Sequence, residues 1–257
     1  MADHRKMNHS KELRLNEIRR MLSEKERMKV MDLAEALNVT PETIRHDLNT
    51  LEEMNLVRRE HGYVVNVSSL MELPLIMRGK EHVEEKKRAA MRAMKEVQDG
   101  MVLFIDAGST VLSGLSFLAG RKDLTIVTNG ISLAYQAARM NMKTILCGGE
   151  VLNIGLRTVG TDVIRTLSRF NFDLSLLGTN GIKGSPGFTT LNYSEVEVLY
   201  TAVQHSARRI IITDPSKFDE KAGCSFCTYS DIELLVTNTL TPQQRREVEG
   251  VHEIIEV

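Results

Sequence analysis

Two sets of residues in this 257-residue chain have the types and spacing to do chemistry. The first is Glu42, Thr43, Arg45, His46 and Asn49, polar side chains that share the free face of one helical stretch. A face of this kind reads base edges and phosphates in a DNA major groove. The second is scattered: Asp106, Gly108-Ser109-Thr110, Asn129, Asp214 and Lys217. Gly108-Ser109-Thr110 falls at a predicted helix start, where backbone N–H groups and the helix dipole favour an anion. Lys217 adds positive charge, and Asp106, Asn129 and Asp214 suit hydroxyl groups. Together they suit a phosphorylated sugar or polyol, with one anionic end and several hydroxyls. No metal-ligand spacing, cofactor motif or catalytic constellation stands out.

The first set needs a helix-turn-helix. Val30, Leu33, Ala34 and Leu37 repeat at i, i+3, i+4, i+7 and predict one apolar helix face. Asn38-Val39 breaks the pattern. Thr40 as N-cap and Pro41 at the first helical position restart it. Ile44, Leu48 and Leu51 then face inward. Arg58, Arg59 and His61 follow in a stretch that predicts a turn between two short strands, a wing. The plain alternative is a helical hairpin with a solvated face.

The second set needs a sheet. From Gly100, apolar runs at 101–105, 124–127, 144–146, 174–177, 210–212, 234–236 and 254–257 alternate with helical patterns. This predicts βαβ units and a mainly parallel sheet with both faces covered. Small and polar residues end the runs: Asp106 to Thr110, Thr128-Asn129, Gly148-Gly149, Gly178-Thr179-Asn180, and Asp214 to Lys217. Ligands of open α/β sheets bind beyond the strand carboxyl ends. Each loop alone is equally a tight βα turn; their common position favours a site. The predicted organisation is a winged helix-turn-helix over 1–66, a linker over 67–81 carrying Pro74 and Gly79, and an α/β effector-sensing domain over 82–257. The first helix is expected to begin at Lys11. A charged helix from His82 to Val97 reads as a solvated face.

The net charge is −1, and the first 65 residues carry 12 Lys+Arg against 12 Asp+Glu, so any DNA contact rests on a local patch. No apolar run is long enough for a membrane span, and no signal peptide is apparent, so a cytoplasmic location without membrane partners is expected. Three cysteines argue against a disulfide framework. Cys224 and Cys227 have C-x-x-C spacing in a strand-like context and read as packing residues rather than a redox or metal centre.

The chain resembles the deoxyribose-operon-repressor (DeoR) family of bacterial transcription factors. In the first half the resemblance rests on Val39-Thr40, Thr43-Ile44-Arg45-His46-Asp47-Leu48, Leu51-Glu52 and Arg59-Glu60-His61-Gly62. His46 stands where a second arginine is usual, and Tyr63 replaces a glycine, which stiffens the wing. In the second half it rests on Asp106-x-Gly108-Ser109-Thr110, Thr128-Asn129, Gly148-Gly149, Gly160, Gly178-x-x-Gly181, Gly187-x-Thr189, Glu195 and Asp214-x-Ser216-Lys217-Phe218. Asp106–Leu112 and 177–190 look most like the glucitol-operon repressors of the family.

The resemblance implies a sensor fold related to ribose-5-phosphate isomerase and CoA transferases. It also implies a phosphorylated sugar or polyol effector, double-stranded operator DNA as partner, and no enzymatic activity. It adds Glu195 to the effector residues. Leu152 and Leu199 stand where an arginine and a lysine are common, and Arg157 is the candidate to restore the lost charge. A homo-oligomer, dimer or tetramer, is expected, since one winged helix buries little surface for genomic specificity. The competing reading is a sugar-phosphate isomerase with Asp106, Glu195, Asp214 and Lys217 as acid–base groups; residues 11–65 argue against it, because an isomerase has no need of a winged helix.

Overall fold

The computed structural model describes residues 2–25, 27–54, 56–60, 62–66 and 72–257. Its contacts divide the chain into two units, Met1–Met71 and Glu72–Val257. His61 and the stretch 67–71 of the expected linker lie outside the described residues.

The first unit contains α1 (Ala2–Lys25), β1 (Arg27–Lys29), α2 (Val30–Ala36), α3 (Pro41–Glu53), β2 (Val57–Glu60) and β3 (Tyr63–Asn66). Helix α1 starts well before Lys11; residues 2–10 contain neither glycine nor proline to stop it. Ile18, Leu22, Leu33, Ile44, Leu48, Leu51 and Val64 form the fully buried core. Asn38 takes the left-handed conformation that the turn between α2 and α3 requires. The wing is a three-stranded antiparallel sheet in the order β1-β3-β2. Strand β1, too short for a periodic signal, was not expected; it places Arg27 and Lys29 5.2 and 5.6 Å from the centre of the Tyr63 ring. These cation–π contacts hold the Tyr63 ring against β1.

The second unit runs α4 (Leu75–Arg78), α5 (Val83–Ala93), β4 (Val102–Ile105), α6 (Ser109–Gly114), β5 (Thr125–Thr128), α7 (Ile131–Arg139), β6 (Lys143–Leu146), β7 (Glu150–Leu152), β8 (Arg157–Val159), α8 (Thr161–Leu167), β9 (Leu174–Leu177), β10 (Gly187–Thr190), α9 (Tyr193–Gln204), β11 (Arg209–Ile212), β12 (Cys224–Thr228), β13 (Leu234–Thr237), α10 (Pro242–Glu247) and β14 (Glu253–Glu256). Seven strands form one parallel sheet in the order β14-β13-β11-β9-β4-β5-β6. These are the seven apolar runs of the sequence. Successive side chains enter opposite cores, as the two-residue strand period demands. Leu103, Ile105, Leu174, Leu176, Ile210 and Ile212 join α5, α6 and α7, whereas Phe104, Leu177 and Ile211 join α8 and α9.

Residues 72–81 are not linker. Leu75 is buried, its N–H bonds the Ile154 carbonyl, and Glu72 and Arg78 form an internal ion pair. Nor is the charged helix wholly solvated: Lys86 is buried and donates to the Arg78 carbonyl at 2.5 Å. Two antiparallel pairs, β7–β8 and β10–β12, lie outside the main sheet.

Candidate DNA-reading face and strand-end crevice

Helix α3 is capped by Thr40, whose hydroxyl accepts the Thr43 N–H at 3.2 Å. Its packing side buries Ile44, Leu48 and Leu51, so Glu42, Arg45, His46 and Asn49 are exposed and Thr43 half-buried. Asp47, in the middle of this run, turns inward; it is fully buried and forms a bidentate ion pair with Arg14 of α1. Arg45 pairs with Glu42 at 2.8 Å, Arg59 with Glu52 at 2.5 Å and Arg58 with Glu60 at 2.5 Å. All three pairs are exposed, and such pairs are worth little, so phosphates can compete for the arginines.

In the second unit, β4 connects to β5 and β6 on one side, while β9, β11, β13 and β14 extend the other. The winding therefore reverses between β4 and β9, where open α/β sheets bind ligands. A small crevice opens there; its own side chains fill most of it and leave about 40 Å³ of free space. Asp106, Gly108, Ser109 and Thr110 line it from β4, and Gly178, Thr179 and Asn180 from β9. Arg157, Glu195 and Lys217 reach it from β8, α9 and the turn after β11.

Five expected residues do not line it. Thr128, Asn129, Gly148 and Gly149 end strands away from the reversal. Asn129 instead ties β5 to β8, its side chain donating to the Thr158 carbonyl at 3.1 Å. Thr128 accepts the Gly130 N–H at 3.0 Å. Gly149 lets the β7–β8 pair close: a Cβ there would sit 2.5 Å from the Val159 carbonyl oxygen. Gly148 is exposed at the same turn. Asp214 is fully buried and caps the turn that carries Lys217, accepting the Ser216 N–H at 3.1 Å.

Six lining residues were not among the expected site residues: Glu72, Arg78, Lys86, Thr189, Thr190 and Leu199. Arg157 lines the crevice, and its charge is matched there by Glu72 and Glu195, both bonded to its guanidinium. Gly155 makes room for that guanidinium; a Cβ there would lie 1.6 Å from Arg157 Nη1. The Thr190 hydroxyl donates to Glu195 at 2.7 Å. Burial raises Glu195 to about 7 against the pull of Arg157. Burial likewise pushes Asp106 up, opposed by Arg157 and by the Gly178 and Ala107 N–H groups. Burial lowers Lys86 to about 8, opposed by Asp214. Arg157 is held above its ordinary value because, against burial, Glu72, Glu195 and Asp106 favour its charge.

The cysteines form no centre. Cys227 is buried in the core and its thiol is pushed up to about 12 by burial. Among the described residues no cluster of His, Cys, Asp and Glu could hold a metal ion, and no helix is long and apolar enough to cross a membrane.

A helix-turn-helix with a free polar face, joined in one chain to a sheet with an ion-lined crevice at its reversal, defines a ligand-responsive DNA-binding regulator. The model of the DeoR-like helix-turn-helix domain matches residues 14–69, and that of the DeoR C-terminal sensor domain matches 81–239. The chain belongs to the DeoR family of DNA-binding transcriptional regulators. It is similar to the glycerol-3-phosphate regulon repressor of Escherichia coli, 30% identical over 87% of this chain and 89% of that protein. It is also similar to the transcriptional regulator FruR of Bacillus subtilis, 29% identical over 82% and 84% of the two chains. Among solved structures, ribose 5-phosphate isomerase A of Methanocaldococcus jannaschii superposes with a TM-score of 0.41 at 14% identity, covering 53% of this chain and 55% of that one.

Proposed function

We propose that this regulator is a repressor of a sugar or polyol catabolic operon in the cytoplasm, and that a phosphorylated sugar or polyol in the strand-end crevice sets its operator affinity. The observation that carries the reading is the composition of the crevice at the reversal point. Arg78, Lys86, Arg157 and Lys217 face Glu72, Asp106 and Glu195 there, among the hydroxyls of Ser109, Thr110, Thr179, Thr189 and Thr190. Four cations suit an anionic end; carboxylates and hydroxyls suit a polyol chain. A crevice for an apolar ligand would not be lined this way. Two relatives, a glycerol-3-phosphate regulon repressor and a lactose phosphotransferase system repressor, agree with this effector class.

Operator DNA is read by Thr43, Arg45, His46 and Asn49 from α3, with Glu42 beside them, Thr40 at the start of the helix, Arg58 and Arg59 from the wing, and His61. The active form is a dimer or tetramer that pairs operator half-sites about 34 Å apart or a multiple of that. Light scattering on the protein with and without DNA checks this; a monomer in both conditions contradicts it.

Ligand identity is tested by a thermal-shift screen of phosphorylated sugars and polyols, because a compound that binds only the folded state raises its melting temperature. A phosphorylated compound should raise the melting temperature where its unphosphorylated parent does not. A screen in which only neutral sugars act contradicts the reading.

A further inference from the structure

We propose that Glu72 is a built-in stand-in for the effector's anionic group: its carboxylate fills an anion subsite between the guanidinium groups of Arg78 and Arg157, and an incoming phosphate takes its place. The inference rests on reading the crevice as the effector site.

Three observations carry it. Glu72 Oε1 lies 2.7 Å from Arg78 Nη2 and accepts from Arg157 Nη1 at 2.8 Å, while its other oxygen accepts from Arg157 Nη2. Paired arginines hold carboxylates and phosphates by the same forked geometry. Arg78 Nη2, though buried and close to Glu72, has no aligned hydrogen-bond acceptor. A buried donor left so has capacity for a ligand with more acceptor oxygens, as a phosphate has. The charges also balance. Four cations face three carboxylates in the crevice, a formal +1; with Glu72 withdrawn the count is four against two, or +2. A phosphate monoester carries about −1.5 to −2 at neutral pH.

The structure also says which carboxylate moves. Glu195 sits in the first turn of α9 and is held additionally by the Thr190 hydroxyl. Glu72 precedes α4 in the irregular segment Glu72-Leu73-Pro74, and among the described residues its carboxylate is held only by the two arginines. Glu72 is also the first residue of the second unit.

The test is calorimetric binding of inorganic phosphate to the full chain at fixed ionic strength. An internal competitor raises the apparent Kd by the inverse of the fraction of time it is absent, so a subsite filled nine-tenths of the time costs about tenfold. Glu72→Gln, which keeps shape and removes the competing charge, should tighten phosphate binding by about that factor. Glu195→Gln, with the same change in formal charge, should tighten it far less. Glu72→Asp, which keeps the charge but retracts the carboxylate, should fall between parent and Glu72→Gln and covers the case in which Glu72→Gln does not fold. Equal gains in Glu72→Gln and Glu195→Gln, or no gain in either Glu72 variant, overturn the proposal. Operator release by phosphorylated sugars is measured separately. If Glu72→Gln gains phosphate affinity but no phosphorylated ligand alters operator binding, the subsite stands and the effector reading falls.

Discussion

The Asp106 carboxylate accepts the Gly178 N–H at 3.2 Å, and this one hydrogen bond joins the ends of the two strands that flank the reversal of the sheet. Both residues line the crevice. Its mouth is thus pinned on the β4 and β9 side by a buried side-chain-to-backbone bond. The ion network of Glu72, Arg78, Arg157 and Glu195, built on side chains, is the part able to rearrange. That division suits a sensor, in which a ligand acts only through a difference in its affinity for two conformations.

Glu195 should make stability depend on pH. Burial raises it from 4.5 to about 7, so between those values the folded chain keeps a proton that the unfolded chain releases. The favourable contribution is complete below pH 4.5 and is lost as pH rises through 7. The unfolding free energy of the parent relative to Glu195→Gln should therefore fall by about 3 kcal/mol across that window. Denaturant titrations at several pH values check this; a difference that does not change with pH contradicts it.

Asp47 should prove structural although it lies between DNA-reading residues. Asp47→Ala leaves Arg14 without its bidentate partner and should destabilise the first unit by about 2–3 kcal/mol. Arg45→Ala should leave stability within about 0.5 kcal/mol of the parent. Chemical denaturation of both variants separates the roles.

Arg45 should carry base discrimination. Its replacement by alanine should cost about 1–3 kcal/mol of operator affinity at fixed salt. Thr43→Ala and His46→Ala should weaken binding as well. Unchanged operator affinity in all three variants would show that α3 does not enter the groove.

Gly155 should be intolerant of any side chain. A Cβ at 1.6 Å from Arg157 Nη1 forces the guanidinium out of its pairing with Glu72 and Glu195. Gly155→Ala should lower stability by about 1–3 kcal/mol and weaken ligand binding together. An alanine variant equal to the parent in both would show that Arg157 has room to move.

The seven strands are visible because both sheet faces are buried, so residues such as Leu103 to Ile105 form unbroken apolar runs. Asp106 to Thr110 and Gly178 to Asn180 follow from where those runs end. The order of the strands is less visible, and it alone excludes Asn129 and Gly149 from the crevice while admitting the ends of β4 and β9. Glu72 and Arg78 are hidden because a segment with Pro74 and Gly79 looks like linker; only tertiary packing shows Leu75 buried. Lys86 is hidden in a charge run, since its burial depends on how α5 lies on the sheet. The three-residue strands of β7–β8 give no periodic signal that would place Arg157. In the first unit the apolar faces of α2 and α3 were readable, but Asp47 looks no different from its exposed neighbours until α1 brings Arg14 to it.

Release of operator DNA by a phosphorylated ligand, followed by fluorescence anisotropy on parent and Lys217→Ala, tests the central claim most directly. Lys217 lines the crevice and has no place in the DNA-reading unit. The parent should bind operator and be shifted by a phosphorylated sugar or polyol but not by its unphosphorylated form. Lys217→Ala should bind operator like the parent and need about tenfold or more additional ligand for the same shift, the loss expected from one charged contact to a phosphate. A folded Lys217→Ala protein that has lost operator binding, or that responds to ligand like the parent, contradicts the assignment of the crevice as the effector site.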